Sequence, residues 1–379
     1  LALLEAPPAG YRIEPVYLSD TGGAWHYRYA CHYTLGLLGC PPEALVDERV
    51  EPEWGDVLLG LDISGDILVQ AERAGLFAVY RNRGVMVYSV VFDLLPVRMP
   101  EVFPPGAGQI HAQWLQTVSK FDGAICISSA VADDFAAWRA ESGFDWKDRR
   151  PFCIGWFHLG ADVANSAPSR GLSDNAEWTL RQLQARSSFL MVGTIEPRKN
   201  HLLLLNLWRE LARDLGPAAP RLVVIGQRGW ECEQVVDMLE RCANLRDLVF
   251  EVSGCSDDAL VGWLRHAQAL LFPSFAEGYG IPLVEALALG TPVLASDLPV
   301  FRELAADIPE YLGPLDGPGW RQAVLDYAAA TIAGGSSGGR RAAQLQRMAG
   351  WRAPTWAEHF AKVEAFMAQH SSQRARGKS

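Results

Sequence analysis

The chain reads as an α/β protein of two doubly wound domains. Three observations predict this. Its 379 residues, 49% of them hydrophobic, suit two buried cores at roughly 100–200 residues per domain. Short apolar, β-branched runs recur along the chain with helical patterns between them. Those runs are continuous rather than alternating, as in strands buried on both faces of a parallel sheet.

In the first half the predicted strands cover residues 12–18, 56–62, 85–91, 123–128 and 151–157. In the second they cover 188–194, 221–226, 248–254, 268–274 and 291–296. Segments such as 202–215 and 232–242 have the length and spacing of crossover helices. The alternation breaks at the polar stretch 165–175, NSAPSRGLSDN, so domains are expected over 1–165 and 166–350. Residues 334–339 (GGSSGG) read as a flexible loop, and 370–379 as a frayed tail without an apolar face. No internal repeat is seen. The chain opens at Leu1, without Met or leader, as expected of an excised piece. It begins on a helix-like LALLEAP, and the DTGG after its first predicted strand lacks GxGxxG spacing. Either a first strand has been trimmed away or the first domain is incomplete by design.

Thirty-four Lys and Arg against 44 Asp and Glu leave a net charge of −10, which argues against nucleic acid as a partner. The longest apolar stretches fall short of the ~18–20 residues of a spanning helix. Seven cysteines without CxxC or Cys/His ligand spacing argue against a disulfide framework and a metal site. They read as buried free thiols of a reducing compartment, so a cytoplasmic location is expected.

The chemistry concentrates in residues 271–303, LFPSFAEGYGIPLVEALALGTPVLASDLPVFRE. A strand ends at Pro273-Ser274, the loop Glu277-Gly278-Tyr279-Gly280 follows, and a helix begins at Ile281 with Pro282 in its first turn, where a missing N–H is harmless. Glycines let the backbone approach a ligand closely, and open N–H groups at a helix start suit a phosphate. Glu277 and Glu285 could border one crevice and accept hydrogen bonds from a vicinal diol, as on ribose or a hexose. Read alone, two such glutamates are more often solvated helix-end residues. A second strand-to-helix turn, residues 192–201 (VGTIEPRKNH), puts Arg198 and Lys199 near a strand's carboxyl end, where α/β ligands collect. A departing diphosphate needs positive charge there.

Together these pieces resemble retaining glycosyltransferases of family four, of the GT-B fold, and most closely bacterial O-antigen and capsule mannosyl- or rhamnosyltransferases. Glu277–Glu285 resembles the family's E-x7-E motif, with FPS before it and GTPVLASD after it. The resemblance implies that Glu277 contacts the transferred sugar and that Gly278, Tyr279, Gly280 and Ile281 lie along sugar and diphosphate. It also implies that Glu285 holds the ribose and that Lys199, with Arg198, holds the diphosphate. The family often has Arg where Thr194 stands, so the cationic clamp is expected to rest on Arg198 and Lys199 alone. Gly226, in RLVVIGQRGW, matches a turn that lets the nucleotide approach. Residues 253–258 match the end of the base-flanking strand.

In the first half, VVFDLLPVRMPEVFP (90–104) resembles the acceptor-side segment. Phe92 replaces the family's usual His, leaving Asp93 as the polar candidate. AICISSAVADDF (124–135) places Ser128 at a strand end, and LGADV (159–163) places Gly160 at the interdomain cleft. His158 is a candidate base, although a lone His between aromatics is more often packing. WRAPTWAEHF (351–360) resembles the carboxyl-terminal helix that crosses back to the first domain, with Trp356 and Phe360 as anchors.

The resemblance implies transfer of a hexose from a nucleoside diphosphate sugar, best guessed as GDP-mannose, to a glycan or lipid-linked glycan. That transfer would keep the anomeric configuration and use neither cofactor nor metal. A lipid-linked acceptor implies peripheral contact with the inner face of a membrane. Two other readings stay open: a GT-B hydrolase or epimerase of nucleotide sugars, and a nonenzymatic GT-B-like module of a larger protein.

Overall fold

The computed structural model describes residues 2–63, 65–143, 151–161, 174–332 and 339–376. Among them no helix is long and apolar enough to cross a membrane. The predicted boundary at 165–175 and the GGSSGG loop lie outside the described residues, apart from Asp174-Asn175, which open a helix, and Gly339.

Two parallel sheets dominate. The first contains β3 (Val57–Gly60), β4 (Met86–Val91), β5 (Gly123–Cys126) and β6 (Cys153–Trp156), paired in chain order. Right-handed crossovers that all step the same way put their helices on one face. Those helices include α1 (Gly65–Arg73), α2 (Leu76–Asn82), α3 (Ala107–Val118) and α4 (Ser129–Glu141). Alternation along β4 divides its labour. Val87 and Val91 join a core with Phe77, Trp114 and Phe135, whereas Tyr88 meets Phe366 edge-on at 6.0 Å.

The run at 12–18, expected as a strand of this sheet, pairs elsewhere. Only β1 (Val16–Ser19) forms, in an antiparallel hairpin with β2 (His26–Tyr29). Its neighbour in sequence is a tight polar turn, and a hairpin needs no crossover. The parallel sheet therefore starts at β3, on its edge.

The second sheet has the order β12-β11-β10-β7-β8-β9, with β7 (Ser188–Val192), β8 (Arg221–Ile225), β9 (Val249–Val252), β10 (Leu270–Phe272), β11 (Val293–Ser296) and β12 (Glu310–Leu312). The chain winds outward from β7 to β9, then returns to β10 on β7's other side and winds to β12. This is a doubly wound sheet whose direction reverses between β7 and β10, the place where such folds bind ligands. Strand β12 escaped the sequence reading because three half-buried residues carry no detectable period. The crossovers include α5 (His201–Leu215), α6 (Glu233–Arg241), α7 (Asp257–His266), α8 (Ile281–Ala288) and α9 (Pro299–Ala305). Helix α5 buries its apolar face, and Trp208, fully enclosed, stands edge-on to Phe189 at 5.9 Å while donating to the Pro220 carbonyl at 2.8 Å.

Helix α10 (Trp356–Arg376) returns to the first sheet. Its Phe366 lies where a Cβ on Gly155 would fall, 2.8 Å away, so glycine there lets the helix close on β6. Trp356 and Phe360 stack at 5.8 Å, as their spacing predicts. The helix continues to Arg376, into the segment expected to fray. All seven cysteines are free, but only Cys126 and Cys232 are buried and Cys40 is exposed, which corrects the expectation of uniformly buried thiols.

Candidate active site

The turn after β7 and the loop after β10 meet at the reversal point of the second sheet. Gly193 has φ 145°, a conformation open to glycine. The chain then makes a short 3₁₀ turn, Pro197–Lys199, and Asn200 adopts a left-handed φ of 62°, which Asn tolerates better than most residues. The Asn200 side chain donates to the carbonyls of Pro273 (3.2 Å) and Pro314 (2.8 Å), and Phe275 N–H donates to the Arg198 carbonyl at 2.8 Å. Three loops are thus tied into one rigid floor.

On that floor sits a buried cluster of four charges. Lys199 Nζ donates to Glu277 Oε1 at 2.6 Å and Arg198 Nη1 to Glu277 Oε2 at 2.7 Å. Ser274 Oγ adds a third bond to Glu277 at 2.7 Å. On its other side Arg198 Nη2 pairs with Glu196 Oε1 at 2.8 Å. The Lys199 stem lies over Gly193, with Nζ 5.2 Å from the centre of the Phe272 ring.

Burial opposes the charge on Glu277, but Lys199 and Arg198 outweigh it and hold its carboxyl below the ordinary range. For Lys199 burial wins over Glu277 and lowers its pKa. Burial likewise raises Glu196, against the pull of Arg198 and Lys199. Such pairs resist disruption, because removing one partner strands the other in the interior.

A hollow of about 590 Å³, lined by Gln227, Arg228, Glu251, Ser253 and Gly254, opens between the carboxyl ends of β8 and β9. It adjoins the cluster through the β7 turn, since Ile195 N–H donates to the Gln227 carbonyl at 2.8 Å. Glu285, on α8, is half-buried, and burial, then Asp257, raises its carboxyl to about 7. A cationic pair held on a buried carboxylate, with a hollow adjoining it at one sheet reversal, offers the charge and hydrogen-bonding groups that an anion carrying hydroxyls would need. A family model described as glycosyl transferases group 1 matches residues 175–308, the span holding all of these groups.

The chain carries a group 1 glycosyl transferase domain. It is 35% identical over 307 residues to the serotype-specific mannosyltransferase WbdA of Escherichia coli, covering 80% of this chain and 36% of WbdA. It is 32% identical over 150 residues to the O-antigen chain mannosyltransferase RfbU of Salmonella typhimurium, covering 38% of this chain and 39% of that one. The matched stretches thus span little more than a third of the length of each of these curated relatives. A UDP-forming α,α-trehalose-phosphate synthase from Burkholderia xenovorans superposes with a TM-score of 0.62 at 12% identity, covering 95% of this chain and 90% of the synthase. The fold is GT-B.

Within the transferase domain the other sequence-selected residues take varied places. Gly280, at φ 121°, starts α8 where a Cβ would meet the Phe301 ring at 2.7 Å. Ile281 and Thr194 are exposed. The freedom of Gly226 serves the protein itself, for a Cβ there would collide with the Gly193 carbonyl. Gly278 likewise packs against the Phe92 carbonyl and Asp93 of the first unit. At both positions the absence of a Cβ is already required by the neighbouring backbone.

On the facing side, Ser128 caps α4 by accepting from Val131 N–H at 3.1 Å and donates to the Gly278 carbonyl at 2.9 Å. Asp93 accepts from Leu95 N–H at 3.0 Å, a local capping role beside the cluster. Gly160 leaves room for Trp356. The Tyr279 hydroxyl donates to the Leu159 carbonyl at 2.7 Å.

His158 is engaged: its Nε2 lies 2.6 Å from Glu303 Oε1. Glu303, on α9, also accepts from Ser129 N–H (2.7 Å) and Ala130 N–H (3.0 Å), so it caps α4 of the opposite unit. Burial opposes its charge, yet His158 and these amides hold its carboxyl below the ordinary range. The sequence reading missed Glu196, Ser274 and Glu303. Glu196 stood inside a motif already singled out, two residues before Arg198; Glu303 had no local signal.

Proposed function

We propose that this chain transfers a hexosyl group from a nucleoside diphosphate sugar to a glycan or lipid-linked glycan, with retention at the anomeric carbon. The observation that carries the reading is the joint hold of Lys199 and Arg198 on Glu277 at the sheet reversal. Cations there can take the diphosphate, and the carboxylate between them can take a hydroxyl of the sugar. The hollow between β8 and β9 has room for a base, and Glu285 stands on α8 for the ribose. The names of WbdA and RfbU favour mannose, and GDP-mannose is the donor chosen here.

In this reading the C1–O bond to the diphosphate breaks as the acceptor oxygen bonds to C1 from the same face. The acceptor proton passes to the departing phosphate oxygen. Arg198 and Lys199 meet the negative charge that develops there, so electrostatics and positioning carry most of the rate and no metal is required. Closure of the cleft would precede the chemistry.

The test is incubation of the chain with radiolabelled GDP-mannose, UDP-glucose and related donors, with mannobiose as acceptor and EDTA present. The expected product is an α-linked oligosaccharide, with its anomeric configuration read by NMR. Free sugar alone would indicate a hydrolase, and absence of both turnover and binding for every donor would reject the proposal.

A further inference from the structure

Glu196 is the most enclosed charge of the cluster, its side chain 2% exposed, too deep to touch a donor. One oxygen, Oε1, meets Arg198 Nη2 at 2.8 Å. The other, Oε2, is buried with no hydrogen-bond partner among the described residues. A carboxylate placed to clamp Arg198 would engage its fork with both oxygens, and an idle buried oxygen is costly. The arrangement is therefore a poor clamp, but an effective source of negative field behind the guanidinium.

Counting charges shows what that field does. Arg198 and Lys199 contribute two positive charges, Glu277 and Glu196 two negative ones, and the ion pairs join all four. These four charges balance one another, and Asp93 stands nearby as a further negative group. Without Glu196 two cations would share one carboxylate in the cluster and hold a leaving nucleoside diphosphate more tightly.

We infer that Glu196 is a buried counter-charge that sets the strength of the cationic pair's hold on the diphosphate, keeping it weak enough for the product to leave. The inference rests on the reading that Arg198 and Lys199 bind the diphosphate. At roughly 7 Å and an effective dielectric constant of about 40, one elementary charge alters affinity for a phosphate charge roughly five- to tenfold.

The test is Glu196→Gln, isosteric and still able to accept from Nη2. Calorimetry with GDP, GMP, UDP and UMP reads the result, beside Arg198→Ala. Glu196→Gln should bind the diphosphate of the preferred base five- to tenfold more tightly than the unmodified chain, with a smaller gain for its monophosphate. Damage to packing would weaken both, so unchanged or weaker diphosphate binding overturns the inference. Should Glu196→Gln not fold, Glu196→Asp keeps the charge and is expected to leave diphosphate affinity within twofold. A loss as large as that of Arg198→Ala would make Glu196 a mere support for Arg198 and overturn the inference too. If Arg198→Ala itself leaves diphosphate affinity unchanged, the donor-site reading fails instead.

Discussion

Glu285 offers the sharpest test of the donor site, because its environment predicts a pH dependence near neutrality. Burial, reinforced by Asp257, raises its carboxyl from an ordinary value near 4.5 to about 7. A ribose diol donates two hydrogen bonds, so the ionised carboxylate is the form that binds well. With a pKa of about 7 the ionised fraction is about 0.9 at pH 8 and about 0.1 at pH 6. Apparent affinity scales with the competent fraction, so the Kd for a nucleotide sugar should rise about tenfold from pH 8 to pH 6. A nucleotide sugar is the right probe because its diphosphate diester has no proton titrating near 7. Calorimetric titration of GDP-mannose across this range should show the rise, and Glu285→Gln should bind weakly with a flat profile. A flat profile in the unmodified chain, or the same slope in Glu285→Gln, would refute the reasoning. Stability supplies a cross-check. A carboxyl whose folded pKa is raised binds its proton more tightly when folded, so its contribution falls as pH rises from about 4.5 through 7. Glu285→Gln should therefore stabilise the protein at pH 8, by about 1–2 kcal/mol once partial exposure is allowed for, and by much less at pH 5.

Other substitutions separate binding from architecture. Lys199→Ala should weaken diphosphate binding about 10- to 100-fold, the worth of a lost charge-assisted contact, as read by GDP titration. Glu303→Ala removes the shared cap of Ser129 and Ala130 and should cost about 1–2 kcal/mol in urea unfolding at pH 7. That contribution is present above the ordinary glutamate pKa and is lost as pH falls through the lowered folded value, so the variant and parent should converge in acid. Gly278→Ala drives a methyl into the Phe92 carbonyl across the units; a loss of about 1–3 kcal/mol is expected by thermal melting.

Local patterns decided much of this protein in advance. Continuous apolar runs marked ten strands, and nine of them lie in the parallel sheets, because a strand buried on both faces announces itself without its neighbours. Arg198, Lys199 and Glu277 were legible for a similar reason, since each sits in a strand-to-helix turn with its own glycines and prolines, and Glu285 follows in the helix that the second turn opens. The exception at 12–18 shows the boundary. Apolar content says that a strand will be buried, but not beside which partner, and here β1 folded back on β2.

What only the tertiary structure decided is which charges meet and which backbones touch. Glu303 finds Ser129 across 174 residues of chain, and Gly226 and Gly278 are fitted closely to carbonyls of other loops. Glu196 lay in plain view inside EPRKN, yet its idle oxygen depends on how three loops close around it. Periodicity records how deeply a residue is buried. Electrostatic pairing and close packing depend on distances that exist only after the chain has folded.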